Sequence, residues 1–397
     1  MDPSNATSWL RRVEDRWCGV GCSDELDSRG AGAEAAAGAM AGDSARLVMV
    51  LTSDAYEPES LLAGIRSVTG DVPLIGCSTA GEITPAGPAD ATVAVLVLGG
   101  PGFTVATAES SVLRGCREAG EEVAGSLGQL DAPHKVLMLL PDGAAINHQD
   151  IVRGAHSQAG PAIPVVGGFS AEGALRLRRP FQLKDGGVRQ HTVVAAAIGS
   201  TGPFGIGVRH GWRPVGEPMT VSWDATGRIS RLDDEPALDA YLNRLMAPED
   251  AYWDPYSFDL LKQTQMLGLI RSEGEEGIRG VGEANFEDRT IGVQAIDHAE
   301  GGLVRVMQAD PASLLDAAGV ACSDALEAIG RPALGLVAFD CSSRKYVLGQ
   351  YRGAEVDRIV AHAAGAPVAG FYSYGEIATM HGPSGYHHGT LIVLALG

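Results

Sequence analysis

The chain has 397 residues, 45% of them hydrophobic and 20% charged, a globular composition with apolar material for two domains. Its formal net charge of −19 repels phosphate backbones and argues against nucleic acid and anionic membrane surfaces as partners. Six cysteines lie scattered with no CxxC pair and no apolar targeting segment opens the chain, which is the pattern of reduced thiols in a cytoplasmic protein, without a disulfide framework or zinc site.

In chain order, residues 1–44 read as a peripheral extension with an Ala-rich helix candidate over Gly30–Gly42. Leu47–Leu51 (LVMVL) is a strand apolar enough to need cover on both faces, and it runs out near Asp54. Pro58–Val68 follows as a helix, with Leu61, Leu62 and Ile65 at helical spacing and Pro58 suited to a first turn. Pro73–Gly99 then reads as strand, glycine-rich turn and strand. The same order returns twice. Val136–Leu140, Gln149–Gln158 and the segments from Pro164 and Thr192 make a second unit, and Leu336–Phe339, Glu355–Ala364 and Pro367–Gly397 make a third.

The closing strands show the repetition best: TVAVLVLG from Thr92, TVVAAAIG from Thr192 and TLIVLALG from Thr390 each open on Thr and close on Gly. The uncharged stretches Thr92–Ala108 and Thr192–Val208 are broken by Gly and Pro, so they read as strand–turn–strand and not as membrane spans. Between the second and third units come a strand at Thr220–Trp223, a helix at Ala237–Met246, a polar loop at Gly274–Gly282, strands at Gly292–Ile296 and Leu303–Met307 that read as a pair, and a helix over 313–329. The expected fold is α/β, with two domains built from repeated β-α-β-β units, layered sheets covered by helices, and internal pseudo-symmetry. The boundaries fall at 1–44, 45–235 and 236–397.

Candidate site residues cluster at the turns. Cys77, Ser78, Thr79 and Glu82 in one copy, and Ser373, Tyr374 and Glu376 in another, combine small residues, hydroxyls and an acid. Glu82 and Glu376 either face a shared ligand cleft, with the halves about a pseudo-two-fold, or hold their own turns by accepting backbone N–H groups. An amino-acid ligand carries both signs, which makes Arg344 with Glu376 a candidate pair and Arg209 with His210 a second cationic site. Cys341 could act as a nucleophile with His387 or His388 as base, or be a small buried thiol. No GxSxG elbow, phosphate-binding loop or dinucleotide fingerprint is present, and His381, His387 and His388 match no metal-ligand spacing, so neither cofactor nor metal is expected.

Several motifs, in order, resemble the FIST family, the F-box and intracellular signal transduction sensory proteins. They are VPLIGCSTAGEI, LLPDGAAINHQDIVRG, PVVGGFS and RHGWRPVGEPMTV in the first half, then EPALDAYLNRL, VAFDCSSRKYVLG, PVAGFYSYGEI and HHGTLIVLAL in the second. The match covers most of 45–397 and looks like a stand-alone, bacterial-type member. The resemblance implies a non-catalytic sensor that binds a small ligand of the amino-acid class and signals to a protein partner. A cysteine-dependent hydrolase or acyl-transfer enzyme and a pure interaction scaffold are the alternatives.

Overall fold

The computed structural model describes residues 8–174, 176–270, 276–293, 302–379 and 385–397. Among these residues the strands form four sheets: one for each repeated unit and a fourth from the segment inserted before the third unit.

Each unit builds the same pattern. A first strand pairs in parallel with the strand that follows its helix: Ala45–Thr52 with Leu74–Ser78, His134–Pro141 with Val165–Gly168, and Gly335–Cys341 with Val368–Ser373. The closing strand returns antiparallel on the other side of the first: Val93–Gly99, Thr192–Ser200 and Leu391–Leu396. A flanking strand then extends each sheet beyond the closing one. These flanks are Arg16–Ser23, Phe103–Ser111 and Phe204–Arg209. Each uncharged stretch is thus a strand, a turn and a strand, and its second strand crosses into the next unit's sheet.

The apolar runs need cover on both faces, and they receive it by alternation. Leu47, Met49 and Leu51 point into a central core shared by all three units, while Val48 and Val50 face the helices Ser28–Ala39 and Pro58–Thr69. In unit two, Val136, Met138 and Leu140 are central and Leu137 and Leu139 face the helices. In unit three, Val337 and Phe339 are central and Leu336 and Ala338 face outward. Three sheets therefore enclose one apolar interior, with a helix layer outside each. Residues 8–39, read from the sequence as part of a peripheral extension, are integral to this plan: Trp17, Cys18 and Val20 are buried in unit one's sheet. The alanine-rich helix has no bulky face because it packs closely. A Cβ on Gly32 would lie 2.4 Å from the Leu61 carbonyl, and one on Gly64 would lie 2.0 Å from the Arg29 carbonyl.

The short hairpin after each parallel pair leaves its own unit. Glu82–Thr84, from unit one, pairs with Val368–Ser373 of unit three. Gln182–Lys184, from unit two, pairs with Leu74–Ser78 of unit one. Glu376–Ala378, from unit three, pairs with Val165–Gly168 of unit two. The exchange is cyclic over three units, which replaces the two-fold arrangement expected from the sequence.

The inserted segment builds a separate sheet with its own core around Leu238, Tyr241, Phe258, Leu267 and Val306. Two readings differ here. Of the loop expected over Gly274–Gly282, residues 276–282 belong to the strand Glu276–Asn285, and residues 274–275 lie outside the described residues. Of the strand expected at Gly292–Ile296, residues 294–296 lie outside the described residues; among the described ones, Thr290–Val293 pairs with Glu276–Asn285 and Ile229–Leu232, and Leu303–Gln308 with Gln265–Ile270 and Arg213–Trp223. Periodicity identifies strands but carries no information on which strand is the neighbour. The boundary placed near Asp234–Pro236 lies inside this sheet, where Glu235 and Pro236 pair with Leu232 and Arg231. No described helix is long and apolar enough to cross a membrane.

Candidate functional site

The glycine turns are closed by their own acids. Glu82 is fully buried; it accepts hydrogen bonds from the Thr79 hydroxyl, from the Thr92 hydroxyl at 2.7 Å and from the Thr92 backbone N–H at 3.2 Å. Glu376 repeats this with the Ser373 hydroxyl at 2.8 Å and the Thr390 N–H at 3.2 Å. In each case the acid ties a turn to the start of its closing strand. Burial raises Glu82 to about 7 and Glu376 to about 8, against the lowering effect of those hydrogen bonds. Neither residue lines either of the two cavities described below; each acid is held by its own turn.

Unit two departs from the pattern. The repeat spacing from Pro164 reaches Gly173, but residues 169–181 separate Val165–Gly168 from its exchanged hairpin, so the residue in register with Glu82 and Glu376 is the neutral Gln182. Asp142 takes over the task from another position, accepting the His191 N–H at 2.9 Å. Ser170 accepts from the Gly143 N–H at 3.1 Å and from the Gln182 amide at 2.8 Å. The loop so released opens onto the surface, and the main cavity lies beside it.

That cavity encloses about 1050 Å³. Its walls come from the start of unit two's helix (Gly143 to Arg153), the end of unit three's first strand (Cys341, Ser342, Ser343), the terminal hairpin (Tyr386, His388) and the inserted domain (Asp259, Lys262, Gln263). Two of the three first strands thus end at the cavity, the position where ligands sit in α/β sheets.

An aromatic cluster forms one wall. His148 stacks on Phe169 with centroids 4.2 Å apart, and Tyr386 meets both rings edge-on. The Nε2 of His148 lies 3.1 Å from the Gly143 carbonyl, which only accepts, so Nε2 carries the proton. Nδ1 is then the acceptor for the Tyr386 hydroxyl at 2.8 Å. Burial holds His148 neutral by lowering it to about 4. His388, 4% exposed and packed edge-on against Tyr386 at 4.7 Å, also lines the cavity, and its Nε2 has no hydrogen-bond partner among the described residues. Desolvation lowers it well below the usual imidazole value. Arg279 donates to the Tyr386 carbonyl at 3.3 Å from the inserted sheet.

Of the residues singled out from the sequence, Cys341, Tyr374 and His388 line this cavity. Cys77 and Ser78 are wholly buried in unit one, where the Ser78 hydroxyl accepts the Phe181 N–H at 3.0 Å. Thr79, Glu82, Ser373 and Glu376 serve their turns. Arg344 is not a free cation. It is fully buried, with Nε donating to Asp340 at 2.8 Å, Nη1 to the His210 carbonyl at 2.7 Å and Nη2 to Glu355. Arg209 is exposed and paired with Asp324 at 2.6 Å, and His210 accepts the Trp212 N–H at 2.9 Å; they form no joint cationic site. His387 lies 3.1 Å from the Ala378 carbonyl. His381 lies outside the described residues. Cys341 is buried, and desolvation first, then the Glu376 charge, push its thiol far above the ordinary value; burial does the same to Cys77. Thiolate chemistry is therefore opposed at both positions.

The sequence reading missed His148, Tyr386, Arg176 and Lys262. They lie on separate elements, at a helix start, in a hairpin strand, in a loop and at a helix end, and share no spacing to find. The longer link between strand and hairpin in unit two was the available signal.

Comparison with known proteins agrees with this architecture. Residues 46–235 match the FIST N domain and residues 237–379 match the FIST C domain. Two proteins from two strains of Mycobacterium tuberculosis, both uncharacterized, are 26% identical to this chain over 384 residues, covering 93% of it and 96% of each relative. The expansion of the family name that invokes an F-box has no counterpart in these matches. FIST domains are signal-transduction sensory domains, and this chain, carrying the N and C domains in tandem, belongs to the FIST family.

Proposed function

We propose that this protein is a non-catalytic cytoplasmic sensor that binds a small polar ligand in the 1050 Å³ cavity and relays its occupancy to a protein partner. Amino acids are the first class to test. The observation carrying this reading is the origin of the walls: two repeated units and the inserted domain each contribute, so a ligand touching all of them changes how they sit together. The volume is at the upper end of the roughly 300–1,000 Å³ of typical ligand sites. The lining offers both signs, with Arg153, Arg176 and Lys262 against Asp150 and Asp259, beside the neutral imidazoles of His148 and His388. The raised thiols of Cys77 and Cys341 favour binding over nucleophilic catalysis.

A thermal-shift screen against amino acids and related metabolites tests the proposal. A compound should raise the melting temperature of the natural chain and lose its effect in Ser343→Trp, which fills the cavity from a half-buried wall position. Turnover of such a compound, or alkylation of Cys341 well below pH 8, would move the reading to an enzyme. If nothing in the library shifts the transition, the scaffold reading gains instead.

A further inference from the structure

Beside the main cavity lies a second one of about 490 Å³, sharing Arg176, Ser342, Tyr346 and Tyr374 with it. Its far wall holds Lys345, Arg352 and Asp90. Lys345 Nζ lies 2.5 Å from Asp90 and also donates to the Ala80 carbonyl, and Arg352 Nη1 is 2.7 Å from the same aspartate. One carboxylate thus faces two cations and leaves a positive charge over. Arg176, at the mouth of both cavities, is only loosely held: its closest acid, Glu172, is 3.8 Å away and its side chain is 72% exposed. It also sits in the left-handed region at φ +47°, a conformation uncommon outside glycine and frequent at functional sites. The side chains of Lys345 and Arg352 are only 13% and 31% exposed, so their charges are focused on the cavity and little screened. Gly81 makes room for them, since a Cβ there would lie 3.0 Å from Lys345 Nζ and 3.2 Å from Asp90. In a chain of net charge −19, three cations against the two acids of the same lining, Asp90 and Glu172, are a local reversal of sign.

The geometry points to an anion subsite, in which Lys345, Arg352 and Arg176 take the carboxylate or phosphate end of a ligand whose remainder occupies the main cavity, with Asp90 as the resident counter-ion that the anion partly displaces. This rests on the small-ligand reading and narrows it: the ligand is an acid, extended enough to reach past Tyr346 and Tyr374.

Calorimetric titration with inorganic phosphate, and separately with acetate, tests the subsite without knowledge of the ligand. Saturable binding of one or both is expected, and which one binds identifies the acid. Arg352→Met should weaken it by about tenfold or more with little change in melting temperature, since a partly exposed ion pair contributes little to stability. Asp90→Asn should tighten it, because the competing carboxylate is gone; a purely structural ion network makes no such demand. Absence of saturable binding to both the natural chain and Asp90→Asn, or binding unaltered by Arg352→Met, overturns the subsite. A metabolite that binds the natural chain and Arg352→Met equally well would overturn it too while leaving the sensor reading intact. Phosphate or acetate binding alongside a fruitless metabolite screen would do the reverse.

Discussion

Units one and three treat their glycine turns alike, and unit two does not. In the first pair a buried glutamate closes the turn against a Thr at the head of the closing strand, Glu82 on Thr92 and Glu376 on Thr390. In unit two the neutral Gln182 occupies the corresponding place, Asp142 supplies the closing carboxylate from elsewhere, and the loop before the hairpin lines the second cavity through Glu172, Ala174 and Arg176 and the main cavity through Arg176. The difference teaches where to look for function in a repeat. Faithful copies carry the architecture, and the copy released from the rule carries the opening.

The comparison can be broken at its structural end or sharpened at its functional end. The largest effect should come from Arg344→Ala, which strands Asp340 and Glu355 in the interior; a loss of about 3–5 kcal/mol, or failure to fold, is expected from urea titration. Retention of full stability would mean that this buried ion cluster is not structural. Glu376→Ala comes next, at about 2–3 kcal/mol, because the Thr390 N–H and Ser373 hydroxyl lose their acceptor.

Glu376→Gln is the subtler probe. The folded-state value of Glu376, about 8, lies above its ordinary 4.5, so the folded protein holds the proton more tightly than the unfolded chain. That contribution is complete below about 4.5 and fades as pH rises towards about 8. The stability of the natural chain relative to Glu376→Gln should therefore fall across that interval, and a pH-independent difference would show that the acid is ionised in the fold. Ligand affinity should be unaffected, as the residue lines neither cavity. Smallest of all is Arg209→Ala, an exposed pair with Asp324, for which less than about 0.5 kcal/mol and no change in binding are expected.

The repeated brick was legible because its signal is dense. Eight-residue segments that open on Thr, close on Gly and are apolar in between recur three times, and burial on both faces follows from them. The destination of each hairpin was not legible. Glu82–Thr84 and Glu376–Ala378 are three residues long, and nothing in three residues says that their partners lie in another unit. The candidate site was half legible. Cys341 was singled out as a candidate nucleophile behind an apolar strand, Tyr374 as part of a glycine-rich turn and His388 as a base for that cysteine, whereas His148 and Tyr386 acquire meaning only once a hydrogen bond of 2.8 Å joins residues 238 positions apart. Arg344 was misjudged for a general reason: a cation's availability depends on partners, and its own were Asp340, four residues before it, and Glu355, on the next helix.

The cyclic trade of hairpins bears on synthesis. As the chain leaves the ribosome, Glu82–Ala89 emerges long before Val368–Ser373, the strand it joins outside its own hairpin, and unit two waits on Glu376–Ala378 to cap the edge of Val165–Gly168. The ring of exchanges closes only when the third unit is made, and Arg16 of unit one's sheet then donates to the Gly397 carbonyl. A nascent chain halted at the junction of the two family domains would therefore display raw strand edges, a natural client for a chaperone and not a half-finished sensor.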